Sequence, residues 1–271
     1  MKKVRLAAHR GFMALYPENT MLSFKKALEC DIDMIETDVH MTKDGQLVCI
    51  HDHGLDRTTT GSGLVREHTL EEVLAVDAGV KKGEQFKGER VPTLREFFEL
   101  VKDRKDIELN IELKDYPHDS HEFAYESCDK TIAMIEEYGL ADRIYINSFS
   151  GDLLNYVYLK YNDRYRLHGY YNIKILGSHY DNDMLKRLFC ACIFNIKVDP
   201  VTGAHDWSQN HIVAPKEQFD FIRSYGVEPW VHYGAAEEEE RFKTWLERGA
   251  VGFTCNNPVL AGEILKKLGA R

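Results

Sequence analysis

Four short groups near the amino terminus hold residue types that could do chemistry together: His9-Arg10-Gly11, Pro17-Glu18-Asn19-Thr20, Glu36-Thr37-Asp38 and His51-Asp52. Each follows an apolar run, which places two histidines, an arginine and several carboxylates at expected strand ends. Glu36 and Asp38 stand two apart in the stretch Asp33 to Val39, and a strand's period of two puts both carboxylates on one face. The stretch Ile107 to Lys114 repeats the arrangement, with Glu112 and Lys114 on a common face. Carboxylates from neighbouring strands then converge, and hard oxygen ligands of this kind suit one divalent cation, Mg²⁺ or Ca²⁺. No thiolate or paired-imidazole spacing argues for structural zinc.

Taken in order, six pieces resemble the glycerophosphodiester phosphodiesterase family. They are His9-Arg10-Gly11, Pro17-Glu18-Asn19-Thr20, Glu36-Thr37-Asp38-Val39, His51-Asp52 with Leu55-Asp56-Arg57-Thr58-Thr59, Val91-Pro92-Thr93-Leu94, and Asn110-Ile111-Glu112-Leu113-Lys114. The resemblance is dense from about residue 5 to 115 and thins to strand-end matches beyond. Phosphodiester hydrolysis needs neutralised phosphate oxygens, a base for the attacking oxygen and a proton for the departing one. Glu36, Asp38 and Glu112 would hold the cation, Arg10 and Lys114 would add positive charge on the phosphate, and His9 and His51 remain for proton transfer. The resemblance implies the same roles. It further implies a glycerophosphodiester substrate, cleaved to an alcohol and sn-glycerol 3-phosphate.

Later positions depart from the family, which often shows Trp-x-Val or Trp-x-Asn and then Thr-Asp-x-Pro. This chain has Trp230-Val231-His232 and Cys255-Asn256-Asn257-Pro258. Trp230 is expected on the glycerol side of the pocket, with a barrel-core tryptophan as the alternative. Glu18 is expected to support the site without binding the ion. His40, His53, His68, His118, His121, His168, His179, His205 and His211 are expected at the surface or in ordinary hydrogen bonds.

The elements that must position these groups alternate strand and helix. Strands are expected at Val4 to Ala8, around Asp33 to Val39, and at Ile107 to Leu113, Ile144 to Ser148, Tyr165 to Tyr170, Ile193 to Val198, Val227 to Val231 and Gly252 to Cys255. Helices are expected from Thr20 to Cys30, Ser120 to Tyr138, and near 151–160, 181–190, 215–225, 236–248 and 258–268. At 271 residues the chain is close to the ~250 typical of a (β/α)₈ barrel, and a TIM barrel is the expected fold, with a doubly wound open sheet as runner-up. Residues 53–106 break the alternation with two capping-box starts, Thr69-Leu70-Glu71-Glu72 and Thr93-Leu94-Arg95-Glu96. They are read as a small insertion subdomain between strands 2 and 3 of one barrel domain spanning residues 1–271.

Composition narrows the partners. The net charge is −9 and no Lys/Arg run offsets it, so nucleic acid and anionic membrane surfaces are poor partners and a small diffusing substrate is a better one. The apolar stretch at the amino terminus is broken at His9, short of a signal-peptide core, and no apolar run approaches the ~20 residues of a membrane span. Six cysteines lie mostly inside apolar segments and are expected to be buried, reduced thiols in a cytoplasmic protein. Stable membrane association is not expected, and both monomer and homo-oligomer stay open. Two other functions compete: a phospholipase C or D type of lipid phosphodiesterase, and a phosphodiester-binding barrel without turnover.

Overall fold

The computed structural model describes residues 3–171, 182–193, 197–198, 205–206, 214–233 and 238–271. In chain order the first elements are β1 (Arg5–Ala8), α1 (Met21–Leu28), β2 (Met34–Met41), β3 (Leu47–Cys49), α2 (Leu70–Leu74), α3 (Leu94–Val101), β4 (Glu108–Leu113) and α4 (His121–Glu137). There follow β5 (Ile144–Asn147), α5 (Gly151–Lys160), β6 (Arg166–Tyr171), α6 (Asn182–Leu185), β7 (Cys190–Ile193) and the two-residue strands β8 (Lys197–Val198) and β9 (His205–Asp206). The chain closes with α7 (Lys216–Ser224), β10 (Glu228–Tyr233), α8 (Glu239–Arg248), β11 (Gly252–Cys255) and α9 (Pro258–Lys267).

Strands β1, β2, β4, β5, β6, β7, β10 and β11 pair in parallel in that order, and the β1–β2 and β1–β11 pairings close the ring. This is the TIM barrel that the alternation predicts. Both faces of each strand are covered, as a barrel requires. Outward residues such as Leu6, Ile35, Val39, Ile111, Ile146 and Phe253 join Phe24, Phe97, Ile132, Leu153 and Phe242 of the helices in one core. Inward, Ala7, Met34, Tyr145, Tyr170, Cys190, Cys192 and Trp230 fill the barrel. Glycine at 252 makes room for the indole of Trp230, because a Cβ there would lie 2.4 Å from its Cε2. Below this layer Glu108 takes hydrogen bonds from Arg5 and Arg166 at 3.3 and 2.6 Å and plugs the amino-terminal mouth.

Between β2 and β4 the chain makes a second, smaller cluster from Val48, Ile50, Leu55, Val65, Val73, Ala78 and Val91. Both capping boxes form, with Thr69 and Thr93 each bonded reciprocally to the glutamate three residues on. Helix α3 turns its buried side, Leu94, Phe97, Phe98 and Val101, to the barrel core. Among the described residues, no helix is long and apolar enough to cross a membrane.

Two elements differ from expectation. The strand expected from Ile193 lies earlier, at Cys190–Ile193, and its pairing of Cys190 with both His168 and Glu228 fixes that register. The helix expected over 181–190 is correspondingly short, because a brief apolar run such as Phe189 to Ile193 carries no period that separates strand from helix. Residues 194–196 lie outside the described residues. The other difference is β3, which pairs antiparallel with β2 through a turn at Asp44-Gly45, so His51 reaches the barrel from a hairpin.

Candidate active site

Parallel register does most of the assembly. Pairing of β2 with β4 sets Asp38 beside Glu112 and Glu36 beside Asn110, at the carboxyl end of the barrel. One oxygen from each of Glu36, Asp38 and Glu112 lies within 4.8 Å of the others, and all three side chains are buried. Burial, then Asp38 and Glu112, push the Glu36 carboxyl well above the carboxylate range. Burial acts on Asp38 in the same direction, but His51, Arg10 and Lys114 outweigh it and hold that group below the range. Glu36 Oε1 and Asp38 Oδ1 are buried without a hydrogen-bond partner. Crowded hard oxygens with unused lone pairs are what a divalent cation would satisfy, so these residues fit the ion expected from the sequence. A cavity of about 10 Å³ opens beside Glu36 and Glu112, lined also by His9, His168 and His232.

Cationic groups surround the carboxylates. Arg10 adopts a left-handed φ of 52°, which turns its backbone N–H to donate to Glu36 Oε2 at 2.7 Å. Its guanidinium donates to Glu18 at 2.8 Å and lies 3.2 Å from Asp38 Oδ2. Gly11 follows with φ 79°, and a Cβ there would lie 2.7 Å from the carbonyl carbon of Ser23, which accounts for glycine in His-Arg-Gly. Arg57 donates to Glu18 and to Asp52, joining the first loop to the one that carries His51. Lys114 Nζ donates to Glu112 Oε1 at 2.9 Å and to His51 Nε2 at 3.1 Å. Glu112 and Asp38 overcome the effect of its burial and keep it charged.

His51 places Nδ1 2.6 Å from Asp52 Oδ1, and His9 places Nδ1 2.6 Å from Asn256 Oδ1. Both partners are acceptors, so Nδ1 carries the hydrogen in each ring and Nε2 is left as a proton acceptor. Burial first, and then Arg10 and His232, hold His9 far below the ordinary imidazole range; burial and Lys114 lower His51.

The structure thus brings together His9, Arg10, Glu36, Asp38, His51, Glu112 and Lys114. Trp230 is fully buried one layer below, with the Arg5 guanidinium 4.9 Å from its ring, and is not among the residues around the carboxylates. The residue of β10 that reaches them is His232, whose Nε2 lies 3.0 Å from His9 Nε2. Sequence reasoning gave His232 no role, although the strand period from Trp230 points to the next inward position. Asn19, Tyr170 and Asn147 were also left without a role. Asn19 donates to Asp38 at 2.8 Å, Tyr170 donates to Glu112 at 3.0 Å, and Asn147 donates to the Tyr170 hydroxyl oxygen.

Below this layer His168 accepts from Asn110 at 2.9 Å and contacts Cys192 Sγ at 3.1 Å. Burial, with His232 and Arg5, lowers its pKa from 6.5 to about 3. The unfolded chain therefore binds a proton that the folded barrel refuses. This contribution is complete above pH 6.5 and is lost as pH falls toward 3, at about 1.4 kcal/mol per pH unit. Denaturant unfolding between pH 6.5 and about 4.5 should show a slope smaller by that amount in His168→Asn than in the parent. Equal slopes would show that His168 titrates normally.

The glycerophosphoryl diester phosphodiesterase family matches this chain over residues 9–260. A glycerophosphodiester phosphodiesterase of Caldanaerobacter subterraneus is 49% identical over 149 residues, 55% of this chain and 59% of that relative's length. One from Bacillus subtilis is 35% identical and covers 97% of this chain and 87% of its own. In fold, the chain is similar to an Oleispira antarctica phosphodiesterase solved in complex with sn-glycerol-3-phosphate, with TM-score 0.79, 21% identity and 97% of each chain covered. With the barrel closed, the carboxylates converged and the match running almost from end to end, the chain belongs to the glycerophosphoryl diester phosphodiesterase family.

Proposed function

We propose that the protein hydrolyses small glycerophosphodiesters to an alcohol and sn-glycerol 3-phosphate, with one divalent cation, Mg²⁺ or Ca²⁺, held by Glu36, Asp38 and Glu112. The observation that carries this reading is the meeting of three buried carboxylates with Arg10, Lys114 and two imidazoles whose Nδ1 is held by an acceptor, leaving Nε2 for proton transfer. The product named in the Oleispira antarctica complex supports the same chemistry.

When bound, the cation supplies Lewis acidity and positive charge to a phosphate oxygen. Arg10, aimed by Glu18, and Lys114, aimed by Glu112, bring further positive charge to the phosphate, which repels incoming nucleophiles until its oxygens are neutralised. His9 and His51 divide the proton transfers: one Nε2 accepts from the attacking oxygen and the other, once charged, donates to the departing alcohol. Asp52 and Asn256 hold the ring tautomers that this requires. Tyr170 and Asn19 keep Glu112 and Asp38 in place by occupying one oxygen of each.

Large exposed apolar side chains among the described residues are Leu15, Leu159, Phe189 and the adjacent Val259 and Leu260, on four separate segments, which favours a deacylated substrate over a diacyl lipid. The expected kcat/KM for glycerophosphocholine exceeds that for phosphatidylcholine by at least ~10-fold, measured with both in dispersed form. The reverse order would support a lipid phosphodiesterase. Tight binding of several diesters without turnover, in the presence of metal, would support a binding protein.

A further inference from the structure

His51 lies just past β3, outside any ladder that would fix its backbone, yet its ring is set 3.1 Å from Lys114 Nζ. A buried chain of side chains reaches it from behind. His40 follows Asp38 by two on β2 and is 1% exposed. Its Nδ1 lies 2.6 Å from Asp115 Oδ1, and its Nε2 lies 3.3 Å from the carbonyl oxygen of His51. The ring thus spans two fixed oxygens, the Asp115 carboxylate on one side and the His51 carbonyl on the other. Asp115, itself buried, is fixed at its other oxygen by the Met41 backbone N–H at 2.8 Å and by the Ser127 hydroxyl of α4 at 2.6 Å.

Burying an imidazole and a carboxylate is costly unless their geometry is fully satisfied, and here every stated contact is made. A pair that served only to join β2 to α4 would have no need of the second contact. That contact ends on the backbone of the residue whose Nε2 meets Lys114.

We propose that His40, anchored by Asp115 and Ser127, is a positioning residue that sets the His51 imidazole against Lys114. The inference rests on the proposed role of His51. Displacing a proton-transfer group by a fraction of an ångström slows the chemical step and leaves substrate binding nearly untouched.

The test uses His40→Leu, which removes both hydrogen bonds at similar volume, and His40→Gln, whose amide keeps a donor toward the His51 carbonyl. His40→Leu is expected to lower kcat about 10- to 30-fold with KM within about twofold, and His40→Gln to recover most of that loss. In a His51→Ala background, His40→Leu should cost nothing further, because the ring it positions is gone. Equal fold-losses in the parent and in His51→Ala would overturn the proposal, as would full kcat in His40→Leu.

A readout without turnover separates this proposal from the functional one. Imidazole ¹⁵N chemical shifts of His51 in the full-length protein should move in His40→Leu and return in His40→Gln. Unchanged shifts in folded His40→Leu would overturn the positioning role even if no substrate were ever cleaved. Shifted rings without turnover of any glycerophosphodiester would instead reject the proposed function and leave the positioning intact.

Discussion

Removing divalent ions from the protein with a chelator is expected to abolish turnover of glycerophosphocholine, and Mg²⁺ or Ca²⁺ to restore it. Three carboxylates buried within 4.8 Å of one another repel strongly, and burial with its two neighbours raises the Glu36 carboxyl well above the carboxylate range. A bound cation would oppose that rise, so protons should leave the cluster as it binds and metal affinity should fall as pH falls. Calorimetric titration in two buffers of different ionisation enthalpy would register the released proton. Glu112→Gln removes a charge from the set and should raise the metal concentration for half-maximal activity by at least ~10-fold. Lys114 then loses the negative charge of its partner as well, so kcat should fall in the same variant. Full turnover by chelated, metal-free protein would remove the ion from the mechanism.

His51→Ala and His9→Ala should each lower kcat by about 10²- to 10⁴-fold while the fold and bound metal survive. Neither ring supplies a carboxylate-type ligand to the cluster, and each is held by a dedicated partner at Nδ1. Replacing Asp52 by Asn should have a smaller effect of the same kind, since it loosens the ring without removing it. Circular dichroism and metal content distinguish lost chemistry from lost structure. Near-normal turnover in either alanine variant would exclude that histidine from proton transfer. Because His9 and His51 are both held below the ordinary imidazole range, the acid limb of kcat/KM should lie below pH 6.5, the value of a free side chain.

Most of this site was legible because two periods act together. Period two along β2 and β4 put Glu36, Asp38, Glu112 and Lys114 on inward faces, and parallel register then made Asp38 and Glu112 neighbours. The barrel followed from strand and helix alternation, and the two helices between β3 and β4 from their capping boxes at Thr69 and Thr93. What escaped was set by tertiary contact. Nothing in the sequence joins His232 to His9, which stand 223 positions apart and meet only because β10, β11 and β1 close the ring. Tyr170 reads as a strand aromatic until β6 places its hydroxyl on Glu112. Trp230 is an inward residue, but its depth depends on the barrel stagger and on the space left by Gly252. The hairpin that delivers His51 was signalled by Asp44-Gly45, yet a strand as short as β3 carries no period of its own.

The most direct measurement is the identity of the products from glycerophosphocholine, followed by ³¹P spectroscopy with enzymatic assay of choline. In the proposed reading Arg10, Lys114 and a cation that Glu36, Asp38 and Glu112 would hold act on the phosphate, and the headgroup alcohol departs. The expected products are therefore sn-glycerol 3-phosphate and free choline in equal amounts, formed only when metal is present. Phosphocholine and glycerol, or no cleavage by folded, metal-loaded protein, would contradict the account.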